Sequence, residues 1–292
     1  MSRLKQYSRR TALVGMATAG LAVSHQTRGA TRPELTKPKA TAFALIGDRY
    51  HNSHYIRTAL RKTLVKDAGF TIDFTDETDL LSAEMLDGYR MLIVFRDNGL
   101  WADGYEDPFG TYVPRNDPKY VSDPPVTDIK RNSDTWIQPH QGKAVRDFVE
   151  NGGGAFFFHN SSSISLSNDD YRHVEGAIYT GHPPIRQFRV KITDRSHPIT
   201  QGVGDFTVTD EQHYIIYEKD PQYVIMRSEN LDGLSYTGSR GNQGTSCEAG
   251  WAYEYGKGRV VFMAPGHMIV NLWNPEYQKL QKNAVKWLLR EI

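Results

Sequence analysis

The stretch that most constrains the fold is Asn151-Gly152-Gly153-Gly154-Ala155-Phe156-Phe157-Phe158-His159-Asn160. A helix-period run (Ala144, Val145, Phe148, Val149) leads into it, and three glycines break that helix. The four apolar residues that follow show no polar alternation, which suits a strand buried on both faces of a parallel sheet. The run stops at His159-Asn160 and a serine cluster, Ser161 to Ser163. In open α/β sheets, ligands bind just beyond the carboxyl ends of such strands. His159 is then either a functional group at that edge or an imidazole satisfied by loop backbone.

The residues before this stretch read βαβαβ. Thr41 to Ile46 is a short apolar strand ending in Gly47-Asp48. Ile56, Leu60 and Leu64 recur at helical spacing behind Ser53, a candidate N-cap. Phe70 to Phe74 alternates as a second strand, Asp79 to Leu86 reads as a short helix, and Arg90 to Phe95 is a third buried strand before Arg96-Asp97-Asn98. This pattern predicts an α/β, doubly wound, mostly parallel sheet. Periodicity is then lost over about residues 99–135, a segment rich in aromatics and prolines. Loops of that length are usually functional or disordered, and the aromatic content argues against disorder. The segment reads as an insertion that either walls a site or serves as a structural cover. The C-terminal half adds extended stretches at Arg186–Ile192, Phe206–Tyr217, Tyr223–Arg227, Cys247–Glu254 and Arg259–Ala264. An amphipathic helix with Tyr277, Leu280, Ala284, Trp287 and Leu288 on one face closes the chain.

Several short motifs occur in a fixed order: Gly152-Gly153-Gly154 through His159, Gly181-His182-Pro183, His197-Pro198-Ile199-Thr200, Asp210-Glu211, Gly256-Lys257-Gly258-Arg259-Val260 and Gly266-His267. The set resembles the ThuA-like family, named for trehalose utilisation, over nearly all of the chain from residue 41. The resemblance implies a flavodoxin-like sheet related to the class I glutamine amidotransferases, with β-strands added in the C-terminal half. It also implies a place in bacterial sugar metabolism, including conversion of disaccharides to or from 3-keto forms. A further reading, separate from the resemblance, is a purely structural partner of an oxidoreductase. His213 departs from the family pattern, where tyrosine is common after Asp-Glu-x. The amidotransferase relatives carry a nucleophilic cysteine at the sharp turn after the central strand, whereas this chain has His159-Asn160 there and a single cysteine, Cys247, far away in a strand. Amidotransfer needs a thiolate at that elbow, so this chain is not expected to catalyse it.

Composition narrows the partners. The formal charge is +1, and the four cations of residues 1–24 (Arg3, Lys5, Arg9, Arg10), taken from it, leave −3 for the remainder. That balance argues against nucleic acid. One cysteine excludes an intramolecular disulfide framework and a thiolate-rich metal site. Residues 1–30 resemble a twin-arginine signal, with Arg9-Arg10 before a weakly apolar run from Ala12 to Val23 and small residues at Ala22-Val23-Ser24 and Ala30 for cleavage. The run is too short and too polar for stable membrane insertion. Export to the periplasm or beyond follows as an expectation. Residues 31–40, with Pro33 and Pro38, read as a linker before a domain of residues 41–292.

The histidines carry the chemistry. His51 and His54 are three apart near the start of the first helix and follow Asp48 at the same sheet edge as His159 and, if its strand is parallel, His267. In an extended strand Glu211 and His213 point one way and Asp210 and Gln212 the other. Imidazoles with a carboxylate suit general acid/base work on a sugar or keto-sugar, or a divalent metal such as zinc. The expected catalytic residues are His159, Glu211 and His267. Asp48, His54, Asn160, His182, Asp210 and His213 are expected to contact substrate. A non-catalytic carbohydrate-binding or accessory domain is the alternative. Titratable groups converging at the strand ends would favour the enzyme. His197-Pro198-Ile199-Thr200 reads as a turn capped by Asp194, Arg259 as a tether, and Trp251 as core.

Overall fold

The computed structural model describes residues 39–100 and 134–292. The signal, most of the linker and most of the insertion therefore lie outside the described residues. The strands are β1 Ala42–Ile46, β2 Ile72–Thr75, β3 Met91–Phe95, β4 Gly154–Phe158, β5 Ala177–Gly181, β6 Arg186–Ile192 and β7 Phe206–Asp210, then β8 Tyr214–Tyr217, β9 Val224–Asn230, β10 Tyr236–Gly238, β11 Gly241–Gly244, β12 Ser246–Tyr255 and β13 Gly258–Met263. The helices are α1 Ser53–Leu60, α2 Ala83–Leu86, α3 Pro139–Glu150, α4 Asp169–Glu175, α5 Ile269–Leu272 and α6 Pro275–Leu288.

Nine strands form one sheet in the order β2-β1-β3-β4-β13-β12-β9-β6-β7. The first five are parallel and the remaining pairings antiparallel. The parallel part has the 2-1-3-4-5 order of the flavodoxin-like fold, with antiparallel strands added at one side. Residue patterns explain the division. β1, β3 and β4 are buried at every position, as strands covered on both faces must be. In β6, by contrast, Phe188, Val190 and Ile192 are buried while Gln187, Arg189 and Lys191 are exposed, so only one face is covered.

Local corrections to the sequence reading follow from capping and pairing. The cap of α1 is Asn52, whose Oδ1 accepts from the His54 N–H at 2.8 Å. His51 therefore precedes the helix and does not share a helical face with His54. The stretch from Phe206 to Tyr217 is two strands, since β7 pairs in the large sheet and β8 pairs with β5 in a separate ladder. The region read as one helix from Asp79 to Leu86 is a 3₁₀ turn, Thr78–Leu80, followed by α2, whose N-cap is Ser82. Gly99 bridges Thr135, so the insertion leaves and rejoins the domain at adjacent points. Asp194 caps the turn after it, accepting from the Ser196 and His197 N–H groups at 2.8 and 3.2 Å. Trp251 is fully buried and stacks on Phe262 at 4.2 Å. Arg259 pairs with Glu254 at 3.3 Å and donates to Trp287 O at 2.6 Å, tying β13 to the end of α6.

Gly258 opens β13 where α3 turns into β4. A Cβ there would lie 2.2 Å from Val149 O and 2.3 Å from Gly153 O, both main-chain atoms that cannot rotate away. Gly258→Ala is expected to cost about 1–3 kcal/mol or more, read as a lowered urea midpoint. An unchanged midpoint would contradict this packing.

Candidate functional site

The carboxyl ends of β1, β3, β4, β7 and β13 bring most of the predicted residues together. His159, the first residue after β4, is fully buried and has a positive φ of 47°. A non-glycine residue in that left-handed region costs on the order of 1–3 kcal/mol, and such strain clusters at functional turns. Gly266 makes room for it, since a Cβ at 266 would lie 2.6 Å from His159 Cβ and 2.8 Å from Phe95 Cζ. His159 Nδ1 is 2.7 Å from Ala264 O. A carbonyl only accepts, so Nδ1 carries the hydrogen and Nε2 faces inward as a lone pair.

Asp48 and His51 form a second unit. The Asp48 carboxylate accepts the N–H groups of Tyr50, His51 and Asp97 at 2.8–3.0 Å and the Asn160 side-chain amide. His51 Nδ1 lies 2.9 Å from the same carboxylate, so its Nε2 also turns inward, to 3.0 Å from His267 Nδ1. Burial opposes the charge on Asp48, but the adjacent His51 and the converging N–H groups hold its pKa below the usual carboxylate range. Burial alone would lower the pKa of His51, and the Asp48 carboxylate overcomes it and raises the value.

Glu211 sits at the centre. Its Oε2 lies 3.2 Å from His267 Nδ1, 3.3 Å from His159 Nε2, 3.5 Å from His213 Nε2 and 3.7 Å from His182 Nε2. Burial would favour its protonation, but the imidazoles around it lower its pKa strongly, so it is a carboxylate. Burial has the opposite consequence for the rings: it lowers the pKa of His159 to about 3 and that of His213 to about 4, so both are uncharged at neutral pH.

The small ladder positions the outer pair. Gly181 of β5 is in register with Tyr214 of β8, which places His182 beside His213. His182, His213 and His159 form a stack, with centroids 5.2 and 3.9 Å apart. The cleft that His182 and His213 border has a volume of about 580 Å³ and is also lined by Tyr50, His51, Asp97, Asn160, Ser163 and Tyr179. That is the size of a small-molecule site. Another depression, of about 530 Å³, opens between Arg90, Asn151 and Leu289 and contains none of the histidines.

Of the residues expected at the site, His182, Glu211, His213, His267 and Asn160 border the cleft, and His159 lies directly behind them. Asp48 and Asp210 do not face it. Asp48 is buried behind His51, and Asp210 accepts the N–H groups of Gly266 and His267 at 2.9 and 3.0 Å, fixing the loop that carries His267. His54 is exposed on α1, away from the cluster, because the Asn52 cap starts the helix after His51. Sequence reasoning missed His51, Asp97 and Tyr179 as site residues. The strand-end rule that selected Asp48 applied equally to His51 and Asp97. Cys247 lies within β12, away from the elbow, with its thiol pushed up to about 12 by burial.

The family model for ThuA, trehalose utilisation, matches residues 126–288, more than half of the chain. The chain belongs to the ThuA family. The match spans the five clustered residues from His159 to His267, while Asp48 and His51 lie ahead of it. Membership gives this ThuA protein a carbohydrate-related role in general terms. Among solved structures, a ThuA-like protein from Bacteroides uniformis is similar with a TM-score of 0.58 at 15% identity, covering 89% of this chain and 95% of that one. Another, from Parabacteroides merdae, gives 0.56 at 14%, covering 87% and 91%. At these identities the likeness shows the fold. No match is found among curated proteins. Among the described residues of this ThuA protein, no helix is long and apolar enough to cross a membrane.

Proposed function

We propose that the protein is an exported enzyme that moves protons on a sugar or keto-sugar bound in the histidine-lined cleft. The observation that carries this reading is the ionised Glu211 held within 3.2–3.7 Å of four imidazole nitrogens at the carboxyl edge of the sheet. A carboxylate beside the uncharged rings of His159 and His213 supplies a group that can take a proton from a bound substrate and return it. His182 and His213 border the opening, where a substrate carbon and its carbonyl would meet them. Keto-sugars are the favoured class because the hydrogen next to a carbonyl is the acidic one and the family's sugar role includes 3-keto forms. An oxidoreductase partner would supply that form. The twin-arginine-like leader supports export to the periplasm or beyond.

The test is proton NMR in D₂O with aldoses, ketoses and 3-keto-glycosides. Deuterium is expected to enter the position adjacent to the carbonyl, with or without net product. Binding by a keto-sugar with neither exchange nor turnover would replace this reading with a carbohydrate-binding module.

A further inference from the structure

We propose that His51 Nε2, His159 Nε2, His267 Nδ1 and Glu211 Oε2 form a site for one divalent transition-metal ion. This site builds on the acid/base reading of the same cleft and follows from the geometry of its ligand atoms. His159 donates its only ring hydrogen to Ala264 O, and its buried Nε2 has no hydrogen-bond partner. That lone pair faces a carboxylate oxygen at 3.3 Å, which also only accepts. Two buried acceptors in contact repel unless a proton or a metal cation lies between them. His267 Nδ1 stands 3.0 Å from His51 Nε2 and 3.2 Å from Glu211 Oε2. One hydrogen on that nitrogen serves one neighbour well, whereas an ion draws in all four groups.

The spacing agrees. Metal–ligand bonds of about 2.0–2.1 Å place tetrahedral donors about 3.3–3.4 Å apart. The three close edges here are 3.0, 3.2 and 3.3 Å, and all four donor atoms lie within 4.8 Å of one another. The supporting bonds also have the arrangement of metal centres. Metal-bound histidines usually give their other N–H to a carboxylate or a main-chain carbonyl, as His51 gives to Asp48 and His159 to Ala264. Three nitrogens and one carboxylate oxygen select zinc, iron, cobalt or nickel over magnesium or calcium, which prefer oxygen. An ion in this position would polarise a sugar carbonyl or hydroxyl oxygen. His182 and His213, which also approach Glu211, remain at the opening.

The test uses the full chain purified without chelator. Elemental analysis is expected to find about one transition-metal ion per chain. After chelator treatment, added Co²⁺ is expected to give visible d–d absorption that saturates at one equivalent and is displaced by Zn²⁺. His51→Ala and His159→Ala should each lower bound metal at least tenfold, whereas His54→Ala, outside the cluster, should retain it. Circular dichroism verifies folding. If His159→Ala does not fold, His51→Ala and Glu211→Gln decide. A folded wild-type chain that holds no metal and gives no cobalt spectrum overturns the proposal, as does full occupancy in both His51→Ala and His159→Ala. Metal binding without deuterium exchange on keto-sugars upholds the site and removes the acid/base reading. Exchange by a chain that binds no metal does the reverse.

Discussion

Glu211→Gln is expected to lower turnover on the cognate sugar by about 10²- to 10⁴-fold, the range for losing a positioned acid/base group. The amide has nearly the shape of the carboxylate but can neither ionise nor accept a proton, and it is a poor metal ligand. Glu211 therefore fails in either capacity, as proton acceptor or as ligand. The fold should survive, because Glu211 lies at the cleft wall, with 14% of its side chain exposed, and not in the apolar core. Removing its charge also removes the one group that supports protonation of both His159 and His213 through direct contact, so both rings become still harder to protonate. Steady-state kinetics beside thermal melts check this. A variant with activity within threefold of the parent would exclude Glu211 from the chemistry.

Glu175→Gln is expected to stabilise the protein at pH 8 and above and to change little near pH 4.5. Glu175 ends α4 and is fully buried, with Oε1 accepting from Ser161 at 3.1 Å and Oε2 without a hydrogen-bond partner. Burial pushes its pKa up to about 8. The sign follows from proton counting. Below the usual carboxylate range, both folded and unfolded chains hold the proton. Between that range and pH 8, only the folded chain keeps it, so the wild type loses stability as pH rises. Above pH 8 the folded chain releases it too, and the loss levels off. The full effect is at most about 5 kcal/mol. The glutamine variant lacks this titration. Urea midpoints at pH 5 and pH 8.5 measure it, and parallel pH profiles for the two chains would show that Glu175 titrates normally.

The sheet was legible because its central strands are continuous apolar runs and β6 alternates cleanly, so burial is written into residue order. The cluster was only partly legible. His159 and His267 stand out because each follows an apolar strand. His51 and His54 were read as one helical pair, but the capping residue Asn52 separates them and only His51 reaches the cluster. Alternation carried through residues 206–217 hid a change of sheet, although it placed Glu211 and His213 on the same side correctly. Which histidines meet depends on packing between segments far apart in the chain, and periodicity contains no such information. The reading of residues 99–135 as a wall or cover falls largely outside the described residues.

The bonds that shape the cleft span nearly the whole domain. His51 meets His267 across 216 positions, and Asn160 meets Asp48 across 112. Contacts of such separation form only after the loops between them have closed. A nascent or truncated chain lacking its last thirty or so residues has no His267 and cannot assemble the constellation, however much of the parallel sheet it has formed. The cleft is thus the last part of the domain to be completed, since it closes only when the loop after β13 has joined the sheet edge.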